Sequence, residues 1–580
     1  NIPERFFKLV IAEPERLYPE TAAFKSTRLP GSGDRALCST GHTNSGFALG
    51  CPLIDLLASP LRLAIVPAYL VTTISIGWKS RQRKTASNDF LNASRALPLW
   101  IVLASFLSAN CGALEIVGLS AVAAQYGVQA FHFYLIGAIP GMVVFGGIMI
   151  PVYMRNRIQS LPEYLEKRFD ARVRLINSWL ILAKLVSVAG VGLYAMARVF
   201  EVVFGWPFTS GALVIAIVVL VYVLLGGLRA AIYNEVLQLG IVVLGLAPLL
   251  FLTANKLPLA ATRSGPYWHL WTGLQPVSPN GSIDLFGVIF GLGFVLSFSY
   301  WCTDFVQVQR TLTAQTTEAA RMVPLLAGFG KLVFAFLVVV PALAAPAFLA
   351  SGKTMPFDEI LPRLMVACYG PVLLSLGLTA LLASLMSGLA ANVSAFSAVW
   401  TEEIYRTSIR RGANEAHYLL VARISIVAGV ALSTAISYEC LNFKNLMEFV
   451  QLVFSIFGVP FFVVFLIGIF TRWATSSGAL AGLVSGTLVA SIFHLLVATG
   501  RLVFVSSMSA SFHAAVYAFC GSLAGSVLLS RRAQRLSAEK LAPLVYRPGA
   551  EVRPRRAAIR WWMLACLLLA LCAALNYLWR

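Results

Sequence analysis

The chain has 580 residues, 58% of them hydrophobic and only 12% charged, with a mean hydropathy of +0.78. A soluble protein of this length carries roughly a quarter charged residues, so the composition excludes one and indicates a polytopic membrane protein. The net charge of +20 does not point to nucleic acid, because the basic residues gather in short loops between apolar spans.

Residues 1–52 are polar, rich in Pro, Gly and Thr, and begin with Asn1. Without a basic-then-apolar signal pattern they read as a poorly ordered tail. Fourteen apolar spans follow, at about 61–78, 97–126, 128–153, 174–203, 209–227, 231–254, 284–305, 322–350, 371–400, 417–437, 448–471, 476–498, 511–529 and 560–579. Loops after odd-numbered spans hold most of the Lys and Arg, including Lys79, Arg81, Arg155, Arg157, Arg310 and Arg406. That asymmetry places the odd loops in the cytoplasm and both termini on the outer face of a cytoplasmic membrane. Of nine cysteines, Cys111, Cys302, Cys368, Cys520, Cys566 and Cys572 fall in apolar runs and read as small buried hydrophobes. Cys38 and Cys51 lie in the tail, where a disulfide between them stays open.

The second span carries Ser108-Ala109-Asn110-Cys111-Gly112-Ala113-Leu114-Glu115 at its middle. A carboxylate at that depth is expensive, and backbone groups freed in lipid need partners. The economical reading is a helix that unwinds at mid-membrane and offers carbonyls and polar side chains to a solute or ion. A kinked helix whose polar atoms bond to its neighbours is the alternative. Five spans later, the seventh is polar too, through Gly291, Gly293, Ser297, Ser299 and Asp304. Interrupted spans in corresponding positions indicate an inverted repeat of five helices with a binding site between the halves. The chain then divides into the tail (1–52), an extra helix with a basic loop (53–96), two repeats (97–254 and 255–471) and three peripheral helices (472–580). It has no P-loop, GxSxG, HExxH or metal-spaced His/Cys cluster, so no enzyme reading arises.

Five stretches resemble one family in order and spacing, the sodium/solute symporters, which include sodium/glucose cotransporters and proline and pantothenate permeases. They are Leu161-Pro-Glu-Tyr-Leu-Glu-Lys-Arg-Phe169, the run from Gly226 to Gln238, Tyr300-Trp-Cys-Thr-Asp304 with Gln309-Arg310-Thr311, Leu385-Met-Ser-Gly-Leu389 with Glu403-Ile-Tyr405, and Phe449-Val-Gln451 through Pro460. The resemblance covers about Leu61 to Gly486. It implies an all-α, leucine-transporter-like fold of five plus five inverted helices, with about 14 transmembrane helices in a lipid bilayer. It also implies secondary active symport by alternating access, with sodium driving uptake of a small polar solute: a sugar, an amino acid or a carboxylate.

Residue by residue, the resemblance assigns sodium to the carbonyls of Ser108, Cys111 and Ser384 and to two adjacent hydroxyls, at Ser387 and at position 388. The latter is Gly388, which lacks the family hydroxyl; a water or the Ser384 hydroxyl would fill the gap. The alternative reading is that these small residues simply let helices pack closely. For the solute it implies Glu115, Ser297 (in place of the family's Asn), Tyr300 as inner gate beside Trp301, Lys331 and Gln451. Tyr134 stands nearest the third-span position where sugar cotransporters place a glutamate. His132 reads as a satisfied polar residue or a titrating one, and Glu235 as a cation-exit carboxylate or the partner of an arginine such as Arg229. The rivals to sodium symport are a proton-coupled symporter using Glu115 or His132, and a transporter-like membrane sensor.

Overall fold

The computed structural model describes residues 97–255, 266–271, 283–349, 356–531, 537–547 and 555–579, with Leu257 and scattered residues between 65 and 76. The N-terminal tail, its two cysteines and most of the first span lie outside the described residues. Among those described, the chain is helical almost throughout, and the one β-bridge joins Leu97 to Ala314. Ten helices are long and apolar enough to cross a bilayer, and two bent pairs bring the number to twelve.

The shortfall from fourteen has two sources. The first span is only partly described, and the fifth and sixth run together as one helical stretch, Phe208–Ala254, of 47 residues. At 1.5 Å per residue that is about 70 Å, over twice the hydrocarbon thickness. Ala231–Ala254 qualifies as a crossing, and Phe208–Val221 is a shorter apolar helix. The pair Gly226-Gly227 near the junction lowers helix propensity by about 1 kcal/mol per residue but removes no backbone donor. The helical backbone continues through it.

The third, fourth, eighth, ninth and eleventh spans are 72–83% buried, whereas the twelfth, thirteenth and fourteenth are 28, 33 and 22% buried. The second group faces outward with Leu488, Ile492, Leu528 and Trp562, a surface suited to lipid. Cys520 and Cys566 lie exposed on these helices and Cys368 is half-buried, against the expectation that all three are buried. The reason is physical: where the surroundings are as apolar as the interior, hydropathy does not separate lipid-facing from core positions.

Both interrupted spans are bent. Leu99–Asn110 and Leu114–Phe131 meet at 53° across Cys111–Ala113, and Gly287–Thr303 and Phe305–Thr311 meet at 47° at Asp304. Asp304 leaves the helical conformation (ψ 126°), and its Oδ1 accepts from the amides of Val306 (3.0 Å) and Gln307 (3.2 Å), capping the second half of the seventh span. The helix around the second bend is therefore restarted by its own side chain. Near the C-terminal end of the eleventh span, fully buried Arg168 donates to the carbonyls of Gly468 and Thr471 (both 2.9 Å) and Ala474 (3.2 Å). One guanidinium thereby satisfies three carbonyls at a helix end.

Candidate functional site

The two bends face one another. The Tyr300 hydroxyl of the seventh span donates to Asn110 Oδ1 at the bend of the second, at 2.8 Å. Above this contact lies a chamber of about 90 Å³, lined by Asn110, Glu115, Tyr134, Ser297, Trp301, Lys331 and Gln451 among apolar residues. Four widened, π-helical stretches border it, Leu114–Gly118, Phe133–Ala138, Gly287–Leu296 and Phe454–Gly458. Such turns shift side-chain register and are frequent at functional sites.

The chamber is built around an ion pair. Lys331 Nζ on the eighth span meets Glu115 Oε2 at 2.5 Å, and both side chains are buried. Lys331 also lies over the Trp301 ring, 5.4 Å from its centre. Two opposite charges from facing helices satisfy each other where neither would survive alone. Among the described residues no hydrogen-bond partner reaches Gln451 Oε1, and the Tyr134 hydroxyl stands beside the Glu115 carboxylate within reach of it. The Gln451 amide nitrogen has only a Met447 sulfur, at 3.3 Å.

Beside the chamber the bend of the second span touches the ninth. Ser108 Oγ and Ser387 Oγ are 3.1 Å apart, and the Ser384 hydroxyl donates to the Cys111 carbonyl. The backbones press together here: a Cβ on Gly388 would meet Gly112 Cα at 3.2 Å, and a Cβ on Gly112 would meet Gly388 Cα at 3.3 Å. The polar groups of this junction are hydroxyls and carbonyls, the donor set a hard monovalent cation prefers.

Past Tyr300 a smaller cavity, about 30 Å³, reaches Asp304, Gln307, Gly388 and Asn392. Tyr300 lines both spaces, its ring stacked on Phe454 at 5.5 Å and 21°. Asp304 Oδ2 holds Lys184 Nζ of the fourth span at 2.7 Å, and both groups are buried.

Glu115, Ser297, Tyr300, Lys331 and Gln451 all line the chamber, and Ser108, Cys111, Ser384, Ser387 and Gly388 all meet at the junction. His132 is elsewhere: its Nε2 pairs with the Leu270 carbonyl at 2.8 Å and its ring lies 4.5 Å from that of Trp271. Glu235 pairs with Arg310 at 2.6 Å and accepts from Ser105. The Arg229 side chain lies outside the described residues. Sequence reading missed Asn110 as the acceptor of the Tyr300 hydroxyl and Lys184 as the partner of Asp304. Lys184 carried the same signal as Lys331, a lone cation in an apolar helix.

The sodium:solute symporter family model matches residues 90–486, about two-thirds of the chain. The protein belongs to that family. This symporter is a transporter rather than an enzyme, and sodium is its coupling ion. Sodium/glucose cotransporter 4 of Danio rerio is 28% identical over 473 residues, 74% of this chain and 70% of that protein. The sodium/glucose cotransporter of Vibrio parahaemolyticus is 26% identical over 477 residues, 76% of this chain and 85% of its own. Among solved structures, the substrate-bound, outward-open form of a sodium-coupled sialic acid symporter superposes with a TM-score of 0.69 at 17% identity, covering 83% of this chain and 99% of that one. The symporter therefore has the leucine-transporter-like fold of five plus five helices.

Proposed function

We propose that this symporter imports a small, uncharged, hydroxyl-rich solute, a sugar or related polyol, across the cytoplasmic membrane by alternating access, with both termini on the outer face. The observation that carries the reading is the chamber itself. Its two charges cancel, so a solute with net charge would meet no counter-ion. Its acceptors are Gln451 Oε1, which has no hydrogen-bond partner among the described residues, and the Glu115 carboxylate, which has the Tyr134 hydroxyl beside it; both accept from a donor-rich partner. A carboxylate solute would add acceptors where acceptors already stand. The likeness to sodium/glucose cotransporters supports the same solute class. Ser297 and Tyr134, where those proteins would carry Asn and Glu, indicate a solute other than glucose itself.

In this reading Tyr300 is the inner gate, held shut through Asn110 and stacked on Phe454, and the cavity reaching Asp304 is the start of the exit path. Proton coupling is not favoured: Glu115 is engaged by Lys331, and His132 is bonded to Leu270 outside the chamber. The test is uptake into proteoliposomes of a labelled panel (hexoses, pentoses, inositols, neutral amino acids, short carboxylates) under an inward sodium or potassium gradient. Sodium-driven accumulation of one or more polyhydroxylated solutes, with the carboxylates inert, is expected. Accumulation of a carboxylate in preference, or uptake that follows a proton gradient without sodium, would contradict the proposal.

A further inference from the structure

The family pattern leaves this chain one oxygen short at the sodium junction, because Gly388 has no side chain. We infer that the Ser108 hydroxyl supplies the missing ligand, so that the cation is held by hydroxyls from both helices, Ser108 and Ser387. The inference rests on the sodium site lying at this junction, as the family resemblance assigns it.

Three observations carry it. First, position 388 has little room for a hydroxyl-bearing side chain, since its Cβ would press on Gly112 Cα at 3.2 Å. Second, Ser108 lies in the last turn of the helix that ends at Asn110, directly before the bend that carries Gly112. Beside the glycine contact at 112 and 388 the Ser108 hydroxyl stands opposite Ser387, the two oxygens 3.1 Å apart with both residues 1% exposed. Some buried serines, such as Ser178, Ser187 and Ser375, bond back to a carbonyl of their own helix. Ser108 and Ser387 bond to each other across helices. Third, the spacing suits a shared ion. A hard cation of calcium's size takes oxygens at about 2.3–2.6 Å, which sets neighbouring ligand oxygens about 3–3.5 Å apart. The Ser384 hydroxyl, another candidate for the gap, donates to the Cys111 carbonyl, whereas the Ser108 hydroxyl stands beside Ser387, next to the position that lacks one. Ser108 thus acts twice, through its carbonyl and through its side chain.

The test is equilibrium binding of radiolabelled sodium to the purified full-length protein, with melting in potassium salt as the check on folding. Ser108→Ala is expected to raise the half-saturating sodium concentration about tenfold or more, as does Ser387→Ala, because each removes one hard ligand. Ser108→Thr, which keeps the hydroxyl, is expected to stay within about threefold of the parent. Should Ser108→Ala melt early in potassium, Ser108→Cys, near in size but soft at the ligating atom, carries the same expectation. Sodium binding by Ser108→Ala or Ser108→Cys within twofold of the parent, while Ser387→Ala loses it, would overturn the inference and leave the sodium site standing. Absence of saturable sodium binding in the parent protein would overturn both.

Discussion

Lys331→Met is expected to abolish solute uptake and to destabilise the protein by about 3–5 kcal/mol, the range for removing one partner of a buried ion pair. The substitution keeps the length of the side chain and its packing near Trp301 while leaving the Glu115 carboxylate buried without a counter-ion. Two effects are then combined, a solute-site defect and a folding defect, and a second variant separates them. Glu115→Gln/Lys331→Met removes both charges, so thermal unfolding is expected to return to near the parent value. Uptake stays absent, because the chamber has lost its charged acceptor and its donor. A Lys331→Met protein that melts with the parent, or a double variant that transports normally, would show that the pair neither stabilises the fold nor meets the solute.

Asp304→Ala is expected to be nearly as damaging, for a different reason. Its carboxylate performs two tasks at once, restarting the seventh span through the amides of Val306 and Gln307 and neutralising Lys184. The cap is worth about 1 kcal/mol and the stranded lysine about 3–5. Asp304→Asn keeps a capping oxygen and removes only the charge, so most of the loss in melting temperature should persist in it. Lys184→Met combined with Asp304→Asn should recover that part. Equal stability of Asp304→Ala and the parent would mean that the bend is set by packing of the seventh span and not by its aspartate.

Much of this was legible in the sequence, and the reasons are specific. Polar residues at mid-membrane have no bland use, so Ser108 to Glu115 and Ser297 to Asp304 marked both bends before any coordinates. Lys331 stood out in the same way. What the sequence did not carry was pairing. Glu115 and Lys331 are 216 positions apart, and Lys184 and Asp304 lie on spans that no local pattern connects. Glu235 reads as a cation-exit carboxylate or as the partner of an arginine such as Arg229, and its partner is Arg310, 75 positions away. Between the spans at 209–227 and 231–254 the sequence has only a short segment holding Arg229, and the backbone stays helical through it. The lipid-facing cysteines were misplaced because a membrane erases the inside–outside contrast that hydropathy reads in soluble proteins.

The central claim, that sodium binds where the bend of the second span meets the ninth, is tested most directly by thermal unfolding of the purified protein in sodium and in potassium at matched ionic strength. A cation that binds only the folded state stabilises it by mass action, by about 2.7 kcal/mol at a hundred times its dissociation constant. The account predicts a sodium-selective rise in melting temperature that saturates with concentration and disappears in Ser387→Ala. Identical melting in the two salts, or a sodium response that Ser387→Ala leaves intact, would contradict it.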